Sequence, residues 1–525
     1  MAEAGLRVVV ALGEGLLRGW QRDCIQALMQ VPRVEVAAIQ ELPHGQVGKT
    51  GGRYRRWLNG RTSDQLRSLP PTEMPGGLRR LAGLGRDAQE LFQGGTIDLM
   101  LQLGGDPPAL PPGTKLRHGL WRFRWGGGHS PDPVPGIVQS LRGEPHIDVL
   151  LERTLPGRDE TFALRCGCFP LGDAEATAST ILSCCALWPG QVCHAILAGD
   201  PEAGTGSPVQ PCRQPCSTPG DLAMIRMRLR QYLGLKQGRE APAEPQEWNI
   251  GILPNPIGSL LAADPSRNVR WLPAPATGSS RGRPFGWVED DQLNVLYEKA
   301  GRRHKHPVIA RLRPKRDNNL KRSRTVLEAD GSLSYPCLVE HEGHRFVVPE
   351  QCASGRLDLY EVNEDATDLV HRHTLLDLPL HSPTLFAYQG RWWLMGTDPR
   401  LPDAMLRAFH ADRPEGPYEP HLMDPLKTDL RSSRPGGTPF LEGGALWRPV
   451  QDLSRPVPRI RICRVVELTP RLFREEVGDL LEPMHGQWSH GIRTVSQVGR
   501  VTLVDGLQKP AGRSRKFGIG SSSKA

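Results

Sequence analysis

Four prolines each follow a residue able to hold a ligand: Arg283 before Pro284, Tyr335 before Pro336, Ser382 before Pro383 and Thr438 before Pro439. Guanidinium, phenol and hydroxyl groups bind hydroxyls, phosphates and carboxylates. Arg434, Arg448 and Gln451 extend the set, and Trp287, Trp393 with its neighbour Trp392, and Trp447 offer flat faces for a sugar ring. Carboxyl groups for acid–base work are fewer: Glu298, Glu350, Glu340 and Asp452. Cleaving a glycosidic bond takes two flanking carboxyl groups, one protonated and one ionised. Glu298 and Glu350 stand at the far end of their strand pairs, where they serve equally as hydrogen-bond partners. The set suits binding better than bond cleavage. Seven of the eleven cysteines lie between Cys166 and Cys216, with His194 beside one of them. Their Cys-x-Cys and Cys-x-x-x-Cys spacings are not the Cys-x-x-Cys pairs of a zinc site, so buried thiols and no metal are expected.

The elements that position these residues repeat. Pro336 is followed at plus seven by Gly343 and at plus fourteen by Glu350, and Pro284 by Asp291 and Glu298 at the same offsets. Pro383 has Gly390 at plus seven, and Pro439 opens a looser copy turning at Gly443 and Gly444. Each copy predicts strand, tight turn, strand. The anchors recur about every 50 residues, the period of a multi-strand blade. With WNIGIL (Trp248 to Leu253) and VSQVGRVTLVDG (Val495 to Gly506) closing a further blade from the two ends, the expectation is an all-β five-bladed propeller over residues 247–507. Residues of such a propeller that precede the anchor prolines should face its axis.

Residues 1–198 read differently. RVVVAL at 7–12, a turn at Gly13 to Gly15, a helical pattern from Leu16 to Met29 and the strand Val34 to Ile39 make a βαβ opening, hence a Rossmann-like α/β domain. Gly13 and Gly15 supply only half of a dinucleotide fingerprint. Residues 199–246 read as loop, an amphipathic helix over 221–235 and linker, and 508–525 as a disordered basic tail. The net charge of +9 is concentrated between Lys299 and Arg324, where eleven Lys and Arg face Asp317 alone. That segment would attract an acidic partner, and the absence of interleaved aromatics argues against nucleic acid as that partner. The longest N-terminal apolar run, Val8 to Leu12, is too short for a leader or span, so no membrane span and a cytoplasmic location are expected.

Two family resemblances follow from motifs. The order DLMLQLGG, GLWRFRWGGGHS, a Pro-Gly with a short helix, and GEP before a strand resembles the formyltransferases that move a formyl group from 10-formyltetrahydrofolate to an amine. In that resemblance the family's Asn and His fall on Arg122 and Arg124, and only Asp159 keeps its type. An arginine stabilises an anion but stays protonated and cannot act as base, so the domain is expected to be catalytically silent. His118 and His129, with Asp159, are the candidates if it is active, and the folate cofactor is expected only in that case. From residue 247 on, RPFGWVEDDQLNVLYE, LSYPCLVEHEGHRFVVPE, SPTLFAYQGRWWLM, SSRPGG and RPVQD occur in the order of the N-terminal domain of glucosamine inositolphosphorylceramide transferases, and more distantly resemble family-43 glycoside hydrolase propellers. That pattern has Asp before the first and third anchor prolines, where this chain has Arg283 and Ser382. The resemblance implies a role in glycan or glycolipid biosynthesis, with a sugar, sugar nucleotide or anionic glycan bound at the axis by Arg283, Tyr335, Ser382, Glu350, Trp393, Arg434, Arg448 and Gln451. The alternatives are an active formyl- or glycosyltransferase acting on an amino sugar, and a non-enzymatic scaffold using residues 299–324.

Overall fold

The computed structural model describes residues 5–209 and 247–509, apart from 14–16, 43–64, 66, 70–72, 76–77, 79, 83–89, 93–96, 105–109, 111–112, 129–134, 159, 173, 263–266 and 315–322. His129, Asp159, Cys212, Cys216, the helix expected over 221–235 and residues 510–525 of the basic tail lie outside the described residues.

Five sheets of four or five strands account for residues 248–507, as the anchor spacing predicts. The first blade runs from Ser280–Glu289 to Arg324–Leu327, the second from Ser334–His341 to Leu369–Leu376, the third from His381–Tyr388 to Glu419–Pro420, and the fourth from Phe440–Glu442 to Phe473–Glu476. The closing blade joins Trp248–Leu253 and Arg270–Trp271 to Val495–Val498 and Val501–Leu507, so the chain's two distant ends seal the ring. Four hairpins turn through two residues that both have positive φ: Asp290 and Asp291, Glu342 and Gly343, Gln389 and Gly390, Gly443 and Gly444. This is the turn whose twist matches that of paired strands, and Gly, Asn and Asp tolerate it best.

The anchor prolines have a structural cause. A proline cannot donate to a ladder, and in three blades pairing skips the proline and the residue before it. The register shifts between Gly282 and Phe285, between Ser334 and Cys337, and between His381 and Thr384. The skipped residues Arg283, Tyr335 and Ser382 have φ of 53°, 44° and 48°. Left-handed backbone in a non-glycine residue costs on the order of 1–2 kcal/mol, and a bulge re-aims the side chain it carries.

The N-terminal half is a mixed eight-stranded sheet. Its order runs Ser207–Val209, Thr161–Pro170, His146–Thr154, Gly119–Trp125, Leu99–Gln102, Leu6–Gly13, Val34–Leu42, Arg80–Ala82. The five strands from Gly119–Trp125 to Arg80–Ala82 are parallel, and the other three pair antiparallel. Four helices are described: Gly19–Met29, Ile137–Arg142, Ala174–Ala186 and Trp188–Leu197. Gly19–Met29, Ala174–Ala186 and Trp188–Leu197 pack on the aromatic face of Gly119–Trp125, where Trp121, Phe123 and Trp125 alternate inward and Trp20 meets Phe123 edge-on at 6.0 Å. The stretch Ala176–Leu197 is long and apolar enough to span a bilayer by composition, but its most apolar window is mostly buried within the protein. Cys184, Cys185 and Cys193 are buried there, and burial raises all three thiols.

This half docks on the third and fourth blades. Leu430 N–H donates to Cys168 O at 2.9 Å, Gln191 donates to Met423 O at 2.8 Å and Pro425 O at 3.0 Å, and Arg431 pairs with Asp148 at 3.4 Å. Met405 belongs to the N-terminal core and Ala195 to a propeller core, so apolar packing is continuous across the junction.

Candidate functional site at the propeller axis

Two of the skipped residues, Arg283 and Ser382, and the ends of second strands meet around the axis. Counted from the first residue after each hairpin turn, Glu298, Glu350, Thr397 and Gln451 all fall at plus six, one per blade. A ring of hydrogen bonds runs from blade to blade. Asp505 of the closing blade accepts the Arg283 and Arg493 backbone N–H groups and Arg493 Nε, each at 3.0 Å. Arg283 reaches Glu298 at 3.5 Å and Glu350 at 3.1 Å, and Ser334 donates to Glu298. Glu350 also accepts the Ser382 N–H at 2.8 Å, faces His381 Nδ1 at 3.0 Å and pairs with Arg434 at 3.2 Å. Arg434 continues to Ser382 Oγ at 3.0 Å and Asp403 at 2.9 Å, and Gln451 reaches Ser382 Oγ at 3.5 Å.

These groups are sheltered but not sealed: the side chains of Arg283, Glu298, Glu350 and Arg434 keep 11–14% exposure and that of His381 21%. Burial works to raise both glutamates, but opposing charge wins. Arg434, Arg283 and His381 hold Glu350 well below the usual carboxylate range, and Arg493, Arg283 and Ser334 lower Glu298. Both are ionised at neutral pH, so neither supplies the proton that glycoside hydrolysis requires.

Five of the sequence-derived candidates, Arg283, Glu350, Ser382, Arg434 and Gln451, share this ring. Three stand elsewhere. Tyr335 is wholly buried, its ring edge-on to Phe285 at 4.9 Å and its hydroxyl held by Thr384 Oγ1 at 3.0 Å and by the Gly437 N–H at 2.8 Å. Trp393 is blade core, against His410 and His421. Arg448 is 2% exposed, pairs with Glu475 at 2.8 Å and donates to the Ser432 and Ser433 carbonyls, while Lys427 completes a buried triad. Of the other carboxylates, Glu340 pairs with Arg345 at 3.1 Å, and Asp452 is buried against Arg461 at 2.8 Å. His381, Asp403 and Asp505 escaped the sequence reading. His381 adjoins Ser382 and was the one within reach of it.

Among the described residues, one group of three His, Cys, Asp or Glu ligand atoms stands close enough to share a metal: Glu350, Cys352 and His381, at the axis and not in the cysteine-rich stretch. A separate cleft of about 820 Å³ lies at the turn ends of the second and third blades, lined among others by His341, His344, Trp392 and Arg413.

In the N-terminal half, His118 is buried and stands where its strand begins. Open parallel sheets hold ligands at the opposite, carboxyl ends of their strands. Arg124 pairs with the buried Glu152 at 2.9 Å.

Residues 275–493, which hold every ring residue except Asp505, match the family model described as glucosamine inositolphosphorylceramide transferase 1, N-terminal. The chain is 27% identical over 208 residues to glucosamine inositolphosphorylceramide transferase 1 of Oryza sativa subsp. japonica, covering 36% of this chain and 28% of that protein. With the Arabidopsis thaliana enzyme of the same name it shares 26% over 252 residues, 44% of this chain and 32% of that one. It thus spans roughly 30% of the length of the curated relatives it matches. Among solved structures, a thermostable family-43 glycoside hydrolase aligns at TM-score 0.35 and 14% identity, over 46% of this chain and 88% of that one. A family 117 glycoside hydrolase of Zobellia galactanivorans, Zg3597, aligns at 0.31 and 13%, over 40% and 74%. Both are too distant to bear on function.

Proposed function

We propose that the protein serves glycan or glycolipid metabolism by binding a neutral or amino sugar at the propeller axis, with a formyltransferase-like N-terminal half that does not transfer formyl groups. The carrying observation is the ring itself: donors and acceptors from all five blades, partly open to solvent, with both glutamates ionised. A sugar hydroxyl is both donor and acceptor, and alternating guanidinium and carboxylate groups offer it both partners. Charge narrows the class. Arg283, Arg434 and Arg493 face Glu298, Glu350, Asp403 and Asp505, so the arginines are already neutralised and an ammonium is favoured over a further anion. Arg283, read from sequence as the group that would recognise an anion, is committed to two carboxylates. The names of the plant relatives, which contain glucosamine and inositolphosphorylceramide, are in keeping with an amino sugar.

For the N-terminal half, the position of His118 at the strand starts and the Arg124–Glu152 pair support the silent reading. The parallel part of the sheet supports its Rossmann-like, formyltransferase-type ancestry. Calorimetric titration of the full chain with glucosamine, myo-inositol and glucuronate tests the proposal. Glucosamine should bind and Glu298→Gln should remove that binding, while glucuronate and 10-formyltetrahydrofolate give no heat. Preference for glucuronate, or a folate response, would overturn it.

A further inference from the structure

The Glu350 carboxylate has two differently occupied oxygens. Oε2 receives Arg283 at 3.1 Å, Arg434 at 3.2 Å and the Ser382 N–H at 2.8 Å. Oε1 faces His381 Nδ1 at 3.0 Å, with Arg434 further off at 3.4 Å. Directly after this strand the chain turns through Cys352–Ser354 and sets Cys352 Sγ 3.4 Å from His381 Nε2 and 3.5 Å from Nδ1. A carboxylate, an imidazole and a thiol thus converge from two blades, all ligand atoms within 4.8 Å of one another.

We propose that Glu350 Oε1, Cys352 Sγ and His381 form a three-ligand zinc site at the propeller axis.

The geometry separates this from a thiol nucleophile activated by histidine. Sγ stands almost equally far from both ring nitrogens, so it lies in line with neither lone pair, and burial, followed by the Glu350 charge, pushes the thiol up to about 12. Without a metal it is a poor nucleophile. With one, small adjustments complete the site. Bonds of about 2.0–2.3 Å in a tetrahedron set ligand atoms roughly 3.3–3.7 Å apart; the sulfur–nitrogen separations lie in that range, while Glu350 Oε1 and His381 Nδ1, 3.0 Å apart, must open slightly and the Cys352 side chain rotate toward one ring nitrogen to admit the ion. Mixed nitrogen, sulfur and oxygen ligation is what zinc accepts, whereas calcium and magnesium want oxygen alone. Three protein ligands leave a fourth position for water or a ligand hydroxyl, the arrangement of catalytic zinc sites. Arg283 and Arg434 oppose the cation, but their shorter contacts are to Oε2, with Arg434 3.4 Å from Oε1, and Glu298 and Asp403 balance them on their other sides.

The ion with the Cys352 thiolate would add one positive charge beside the ring, so the ammonium preference belongs to the metal-free chain, and the site is tested with metal alone. Full-length protein, stripped with a chelator, is titrated with zinc against a chromophoric competitor and separately loaded with cobalt(II). Expected are one tight equivalent per chain, a thiolate-to-cobalt charge-transfer band, and a loss of affinity of about tenfold or more in both Cys352→Ser and His381→Gln. The band should vanish in Cys352→Ser alone among single Cys→Ser variants. Absence of a tight equivalent in the wild type, or one retained with its band in Cys352→Ser, would overturn the assignment. The two near-isosteric variants sit on different blades, so a folding defect in one leaves the other to decide.

Discussion

Removing the charge of Glu350 should destabilise the propeller in a pH-dependent way. Its carboxylate holds Arg283 at 3.1 Å, Arg434 at 3.2 Å and the Ser382 N–H at 2.8 Å. Glu350→Gln keeps the shape, but the amide has one acceptor where the carboxylate had two, and its NH₂ faces either a guanidinium or His381. Hydrogen bonds to charged groups contribute about 1.5–3 kcal/mol each, and breaking a buried pair from one side costs about 3–5 kcal/mol. Arg283 retains Glu298 and Arg434 retains Asp403, so the lower end applies, about 3 kcal/mol. At roughly 2–4 °C per kcal/mol for a domain of this size, calorimetry of the full chain should show a fall of about 6–12 °C at pH 7. The sign with pH follows from the depressed pKa. A carboxyl whose folded pKa lies below its unfolded value, about 4.3, adds stability that is fully present above 4.3 and lost as pH falls through the folded pKa. The gap between wild type and Glu350→Gln should therefore stay constant from pH 7 to about 5 and narrow below about 4. No difference at pH 7, or a gap that widens in acid, would refute the electrostatic account of the ring.

Other substitutions separate architecture from the site. Arg448→Ala leaves Glu475 with Lys427 as its one charged partner and takes the donor from the Ser432 and Ser433 carbonyls, and should cost about 3 kcal/mol in denaturant unfolding, with the loss confined to stability. Tyr335→Phe keeps the packing on Phe285 but leaves the Gly437 N–H without its phenol partner, a loss of about 1–3 kcal/mol by the same measurement. Trp393→Ala empties blade core, at about 3–5 kcal/mol, and the remaining folded protein should bind glucosamine with unchanged affinity. Gly437→Ala would place a Cβ 1.6 Å from Val495 O at a φ of 144°, and should give little soluble protein, as expression yield will show.

The blades were legible because their signals are local. A proline that cannot join a ladder and a two-residue turn that demands positive φ mark strand starts and hairpins whatever surrounds them. The mixed N-terminal sheet was legible only as α/β, since of the links to its three antiparallel strands one, through Pro156 and Gly157, is a tight turn and the other two run through helices. At the axis, residue type and position served Arg283 and Ser382, but Tyr335, in the same bulge with the same backbone, turns its side chain into the core. Trp393 was considered as a pocket residue because alternation sends adjacent side chains to opposite faces. In a propeller both faces of a blade pack on neighbours, and Trp392 and Trp393 are both buried. The Glu350, Cys352 and His381 cluster is joined by adjacency of the second and third blades, which no local spacing records. The arginines were read as anion binders because their carboxylate partners lie far off along the chain, Glu350 67 residues from Arg283 and 84 from Arg434.

A crystal structure of the full chain soaked in glucosamine puts the central claim to its most direct test. The sugar should lie within hydrogen-bond distance of Glu298, Glu350 and Arg434, its ammonium toward the glutamates. Sugar density in the outer cleft beside Trp392 and Arg413 with an empty axis would contradict the account.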